Sequence, residues 1–204
     1  MSRKSKSLAL VTQTQEFFHE LVDEALKTKK YKPSTETQVY LVNLLNQFLS
    51  SDRLYTRDAE GNVKDEPLAI LVKEALEQPE IEAQKSLFRY IGDVSLYTAG
   101  FFQDSLSRKV VDVDYYIGMG GTAYRQVAAR IPEKPVQGLY QELAEEFPLW
   151  VDVLAEVSDK TTQKTETNLL RIYETWIRTK SERAAKTLKE AGILPNKTIK
   201  KDWQ

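Results

Sequence analysis

The residues best equipped for chemistry lie between Leu87 and Ile131. Arg89 and Asp93 stand four apart, close enough on one helix face to pair. Further on, Asp114, Gly118, Gly121 and Arg125 recur at i, i+4, i+7 and i+11, a shallow notch with an acid at one end and a base at the other. Tyr97, Arg108 and Tyr115 flank these positions in sequence. Acid, base and hydroxyl groups in this pattern suit recognition of a polar ligand or a partner surface. The same segment holds five of the eight glycines (Gly92, Gly100, Gly118, Gly120, Gly121) and five of the ten tyrosines. Glycine inside a helix costs about 1 kcal/mol relative to alanine. Close approach of another helix, or room for a ligand, must offset that cost. The expectation is close packing at Gly118 and Gly121, with tyrosine hydroxyls anchored to neighbouring acids. The alternative is a groove lined by Asp93, Tyr97, Arg108, Asp114 and Tyr115. Either way the specific surface of the molecule is expected at the 87–124 helix pair.

Catalytic chemistry finds less support. Asp93, Asp112 and Asp114 would suit a Mg²⁺ site of the kind helical diphosphate enzymes use, but paired Asp-rich motifs on two facing helices are only partly matched. That carboxylate enzyme is the alternative to a binding or regulatory protein. Glu16-Phe-Phe-His19 has the Glu-x-x-His spacing of di-iron bundles, which need the motif twice and two more carboxylates. His19 is the one histidine of the chain, so the pair reads as surface. The absence of cysteine excludes a disulfide scaffold, a thiolate zinc site, an iron–sulfur cluster and a cysteine nucleophile. Gly118-Met-Gly-Gly121 lacks the Gly-Lys-Ser/Thr ending and the preceding strand of a phosphate loop. The polar run Arg57–Asp65 lacks the alternating oxygen ligands of a calcium loop. No catalytic residue, metal or other cofactor is assigned.

The seven prolines punctuate helical patterns, and only Pro148 falls inside one, at a bend. Apolar spacing predicts helices over about 8–30, from Thr35 to about Leu49, over 67–78, 80–107, 112–131, 139–158 and 165–191. Thr35-Glu-Thr-Gln38 reads as a capping box with Thr35 as the cap, and Asp112 reads as the N-cap of its helix. On that helix Tyr116, Ile117, Gly120, Ala123, Tyr124 and Val127 form the core-facing set. No run alternates with period two for long enough to be a strand. The fold class is therefore all-α, a single-domain bundle of about seven helices over residues 8–194. Residues 1–7 form a disordered basic N-terminus and 195–204 a flexible basic tail.

With 204 residues, 41% hydrophobic, and 29 basic against 30 acidic side chains, the chain can bury one full core and carries no global charge for nucleic acid or anionic lipid. Lys27, Lys29, Lys30 and Lys32 form the densest basic patch, at a helix C-terminus where cations favour the dipole, so nucleic acid is the weakest alternative. No apolar run reaches the ~18 residues of a membrane span, and Leu8–Val11 is shorter than a secretory signal requires. A cytoplasmic protein is expected, with a protein partner or small ligand, no membrane, and self-association left open.

Two runs carry a resemblance. Tyr-Ile-Gly-Asp-Val-Ser-Leu-Tyr-Thr-Ala-Gly-Phe-Phe (90–102) and Asp-Val-Asp-Tyr-Tyr-Ile-Gly-Met-Gly-Gly-Thr-Ala-Tyr (112–124) resemble a block of uncharacterised all-helical proteins of proteobacteria. The similarity extends over about residues 10–160 and includes the Asn43-Leu-Leu stretch. It implies a bacterial source and a helical fold; it implies no activity.

Overall fold

The computed structural model describes residues 2–48, 56–57, 63–64, 67–102, 112–179 and 182–190. Among them are eight helices: α1 (Ser2–Lys29), α2 (Thr35–Phe48), α3 (Leu68–Glu77), α4 (Ile81–Phe101), α5 (Val113–Ala128), α6 (Lys134–Glu145), α7 (Phe147–Thr179) and α8 (Glu182–Glu190). A two-residue antiparallel ladder pairs β1 (Thr56–Arg57) with β2 (Val63–Lys64), Thr56 opposite Lys64. The chain is an all-α bundle, as the apolar periodicity predicts. It divides into two compact units, residues 1–158 and 159–204. Helix α1 includes residues 2–7, which the apolar pattern alone leaves outside the domain. Arg108 and the tail 195–204 lie outside the described residues.

Several boundaries differ from the sequence reading, each for a local reason. The cap of α2 is Ser34 rather than Thr35: the Thr37 N–H donates to Ser34 Oγ at 3.2 Å, and the Gln38 N–H to the Ser34 carbonyl at 3.1 Å. Ser34 and Thr35 are adjacent residues of equal capping chemistry, and a partner on another helix decides between them. The Glu142 carboxylate of α6 accepts from the Ser34 hydroxyl (2.6 Å), the Ser34 N–H (3.2 Å) and the Thr37 hydroxyl (2.7 Å). Pro148 starts a helix instead of bending one. Glu146 ends α6, and Pro148 occupies the first turn of α7, where its missing N–H costs nothing. Pro135 plays the same part at the start of α6, so that helix begins at Lys134, ahead of the start expected at 139.

Glu142 thus joins the N-terminus of α2 to α6 by charge-assisted hydrogen bonds. Glu142→Ala is expected to cost about 1–2 kcal/mol, since bonds to ionised acceptors exceed neutral ones. Urea unfolding would show it as a lower midpoint at unchanged slope. An unchanged midpoint would mean that the apolar face of α2 holds it alone.

The core of the first unit is built around Trp150, Tyr124, Phe88, Phe147, Leu21 and Leu41, all fully buried. Trp150 stacks edge-on with Tyr31, ring centroids 5.4 Å apart, and donates its indole N–H to the Glu142 carbonyl. Helices α4 and α5 form the most extensively packed pair. In the second unit Trp176 and Leu188 are buried together, with Ile172, Tyr173 and Ala185 packed around them.

Candidate functional site

Helix α4 is apolar along most of its length because it packs against α3 and α5 and also meets α2. Asp93 sits on its buried arc beside Ile91, Gly92 and Leu96. A carboxylate there needs partners, since burying an uncompensated charge is far costlier than burying a neutral group. Two tyrosines supply them. Tyr40 of α2 donates its hydroxyl to Asp93 Oδ1 at 2.5 Å, and Tyr124 of α5 donates to the same oxygen at 2.8 Å. The other oxygen, Oδ2, faces Arg89 Nε at 3.8 Å, beyond hydrogen-bond length. Asp93's side chain is 9% exposed and Arg89's 52%, so one charge lies inside and the other at the rim. Tyr140 of α6 completes the group. Its hydroxyl lies within reach of the Arg89 charge, and its ring lies 5.7 Å from Tyr40 and 5.8 Å from Tyr124.

Burial pushes the Asp93 carboxyl up to about 6; the two tyrosine hydroxyls and the Arg89 charge pull it back only in part. Burial first, and then surrounding negative charge that includes Asp93, raises Tyr40 and Tyr124 well above the ordinary phenol value. Both hydroxyls therefore remain donors across the physiological range. Burial also pushes Tyr90 up to about 12.

The glycines explain how a bulky ring reaches this carboxylate. A Cβ on Gly92 would lie 2.4 Å from Tyr124 Cε1, so Tyr124 rests directly on the α4 backbone. At Gly120 a Cβ would meet Phe147 Cζ at 2.2 Å and Ser95 Cβ at 2.7 Å, and at Gly100 it would meet Leu154 Cβ at 2.4 Å. The expected notch is corrected accordingly. Gly118 is exposed and a Cβ there would meet nothing within 4 Å, whereas Gly121 is buried and a Cβ there would be in ordinary contact, 3.5 Å from the Ala144 carbonyl oxygen. Close approach is made possible by Gly92, Gly100 and Gly120, of which only Gly120 belonged to the predicted core-facing set.

The other expected residues scatter. Asp112 caps α5, accepting from the Tyr115 N–H at 3.1 Å, as predicted. Asp114 and Arg125 are exposed in the first and last turns of α5, and Tyr115 is half-buried against Tyr116. Tyr97 is buried between Phe48 and Phe101, at 4.9 and 5.0 Å, and so belongs to an aromatic stack rather than a groove wall. Among the described residues no group of three His, Cys, Asp or Glu side chains could hold a metal ion, so Asp93, Asp112 and Asp114 do not form the Mg²⁺ cluster of the enzyme alternative. Lys29 of the basic patch pairs with Asp152 at 3.1 Å. No described helix is long and apolar enough to cross a membrane.

A cleft of about 340 Å³ opens beside the buried carboxylate, lined by Gln47 and Phe48 of α2 and by Ser86, Arg89, Tyr90 and Asp93 of α4. A larger one, about 470 Å³, lies between α1 and α2, lined by Gln15, Glu16, His19, Glu20, Val39, Val42 and Asn43. Every polar residue of the larger cleft is exposed, and His19 there stands 3.6 Å from Asp23. Of these two clefts, the smaller alone is lined by a buried charged side chain, Asp93. Sequence reasoning identified Arg89 and Asp93 but missed Tyr40 and Tyr140. Their signal was a hydroxyl-bearing ring among apolar helix positions, which needs a polar partner when buried.

No family model matches the chain, and no curated protein or solved structure matches it either.

Proposed function

We propose that this chain is a binding protein for a small polar ligand, with the cleft over Asp93 as its site. One observation carries the reading. Asp93 is a buried carboxylate with one oxygen accepting from two tyrosine hydroxyls and the other 3.8 Å from Arg89 Nε, beyond hydrogen-bond length, beside an open cleft. An oxygen that faces a cleft and is not hydrogen-bonded by Arg89 can accept from a ligand's donor. Binding is favoured over catalysis because, among the described residues, the three aspartates of the metal alternative do not gather into a site.

The test is a thermal-shift screen of small polar metabolites that spans anions, cations, zwitterions and neutral compounds. A ligand of the folded state raises the melting temperature in proportion to RT ln(1 + [L]/Kd). At least one class is expected to stabilise the wild type and to lose its effect in Asp93→Asn. Millimolar Mg²⁺ or Mn²⁺ is expected to leave the melt unmoved. A screen with no shift in any class would overturn the reading, and a shift from metal alone would restore the carboxylate enzyme.

A further inference from the structure

We infer that the cleft takes a zwitterion with a carboxylate and an ammonium on adjacent carbons, that is, an α-amino acid with an uncharged side chain. The inference rests on the ligand-binding reading above and narrows its chemistry. Arg89 and Asp93 present opposite charges from successive turns of α4, and at 3.8 Å they are neighbours without being locked together. A simple anion would gain Arg89 but approach the Asp93 carboxylate; a simple cation would gain Asp93 but approach the guanidinium. A divalent metal meets the same repulsion. Only a ligand carrying both charges satisfies both groups, so that each charge it loses from water meets an opposite one in the cleft.

The geometry suits the two ends. The guanidinium is half exposed at the rim and offers planar paired donors, the match for a carboxylate. Asp93 Oδ2 lies deeper, with Oδ1 already occupied by Tyr40 and Tyr124, so an ammonium there would complete the carboxylate's acceptor set. The tyrosines fix the carboxylate's orientation before a ligand arrives. About 340 Å³ is at the small end of ligand pockets, room for an amino acid rather than a nucleotide. Phe48 and Tyr90 supply the apolar wall for the ligand's side chain. Gln47 and Ser86 supply neutral polar groups, and among the described residues no further charge lines the cleft to pair with a charged side chain.

Calorimetric titration can separate these features with two series of probes. One is L-phenylalanine, 3-phenylpropionate and 2-phenylethylamine; the other is L-leucine, 4-methylpentanoate and 3-methylbutylamine. At least one amino acid is expected to bind more than ~10-fold tighter than the two compounds that each keep a single charge, a difference of about 1.4 kcal/mol. Arg89→Gln, a rim substitution that leaves the core intact, should weaken that amino acid at least ~10-fold, as should Asp93→Asn. A single-charge compound binding as tightly as its amino acid would overturn the inference while leaving the ligand-binding reading in place. So would silence from both series when another class shifts the melt. Silence from every class would overturn both.

Discussion

Gly120→Ala is expected to destabilise the fold by about 2–3 kcal/mol, although the same substitution improves helix propensity by ~1 kcal/mol. The added methyl would stand 2.2 Å from Phe147 Cζ and 2.7 Å from Ser95 Cβ. Neither neighbour can yield cheaply. Phe147 is 1% exposed and its ring lies against Tyr124 at 5.8 Å, while Ser95 is fully buried and its Cβ is fixed by the α4 backbone. Ser95 Oγ has no hydrogen-bond partner, which marks the residue as chosen for size: a larger side chain would not fit below Gly120. Gly118→Ala, on the open side of the same helix, meets nothing within 4 Å and should gain up to ~1 kcal/mol. Denaturant unfolding of the two variants should therefore move in opposite directions. Equal effects at both positions would mean that α4 and α5 are not in close contact at Gly120.

Stability should also fall as pH rises through the range in which Asp93 titrates. The carboxyl's value is 3.8 in the absence of the fold and about 6 within it. Between those values the folded chain keeps a proton that the unfolded chain has lost, so the unfolded state binds fewer protons and rising pH favours it. The contribution of the neutral carboxyl is complete below about pH 4 and lost above about pH 6, a change on the order of 3 kcal/mol. The groups facing Asp93 are Arg89 on its own helix, Tyr40 on α2, Tyr124 on α5 and Tyr140 on α6. The tyrosines stay neutral and the arginine charged throughout, so Asp93 alone titrates within this group. Asp93→Asn keeps an acceptor for the hydroxyls and removes the ionisation. Its stability relative to wild type should therefore improve by about 3 kcal/mol between pH 4 and pH 7.5, with the other carboxylates cancelling in the comparison. A pH-independent difference would place Asp93 in water.

The all-helical fold is legible because each helix repeats its apolar positions at helical spacing and prolines mark most of its boundaries. Local sequence also specifies the Asp112 cap and the Arg89–Asp93 pair, both spanning a single helical turn. What it does not specify is which helices meet. Tyr40 and Tyr124 are separated by most of α2, α3 and α4, and no local pattern shows that both hydroxyls reach one carboxylate. The glycines illustrate the same limit. Gly118, Gly120 and Gly121 are near neighbours with identical propensity, yet one faces solvent, one lies under a phenylalanine ring and one sits in ordinary contact. Only the tertiary neighbours distinguish them. Ser34 displaced Thr35 as the α2 cap for a related reason, since Glu142 approaches from a distant helix.

The most direct measurement is the titration of the Asp93 side-chain carboxyl by ¹³C NMR, assigned by its loss in Asp93→Asn, without ligand and with the metabolite that raises the melting temperature most. The expected midpoint without ligand is about 6, because the group is buried, and it should fall once a ligand's positive charge sits against Oδ2. A midpoint in the ordinary carboxylate range of ~4, or a raised one that the bound ligand leaves in place, would contradict a ligand site at Asp93.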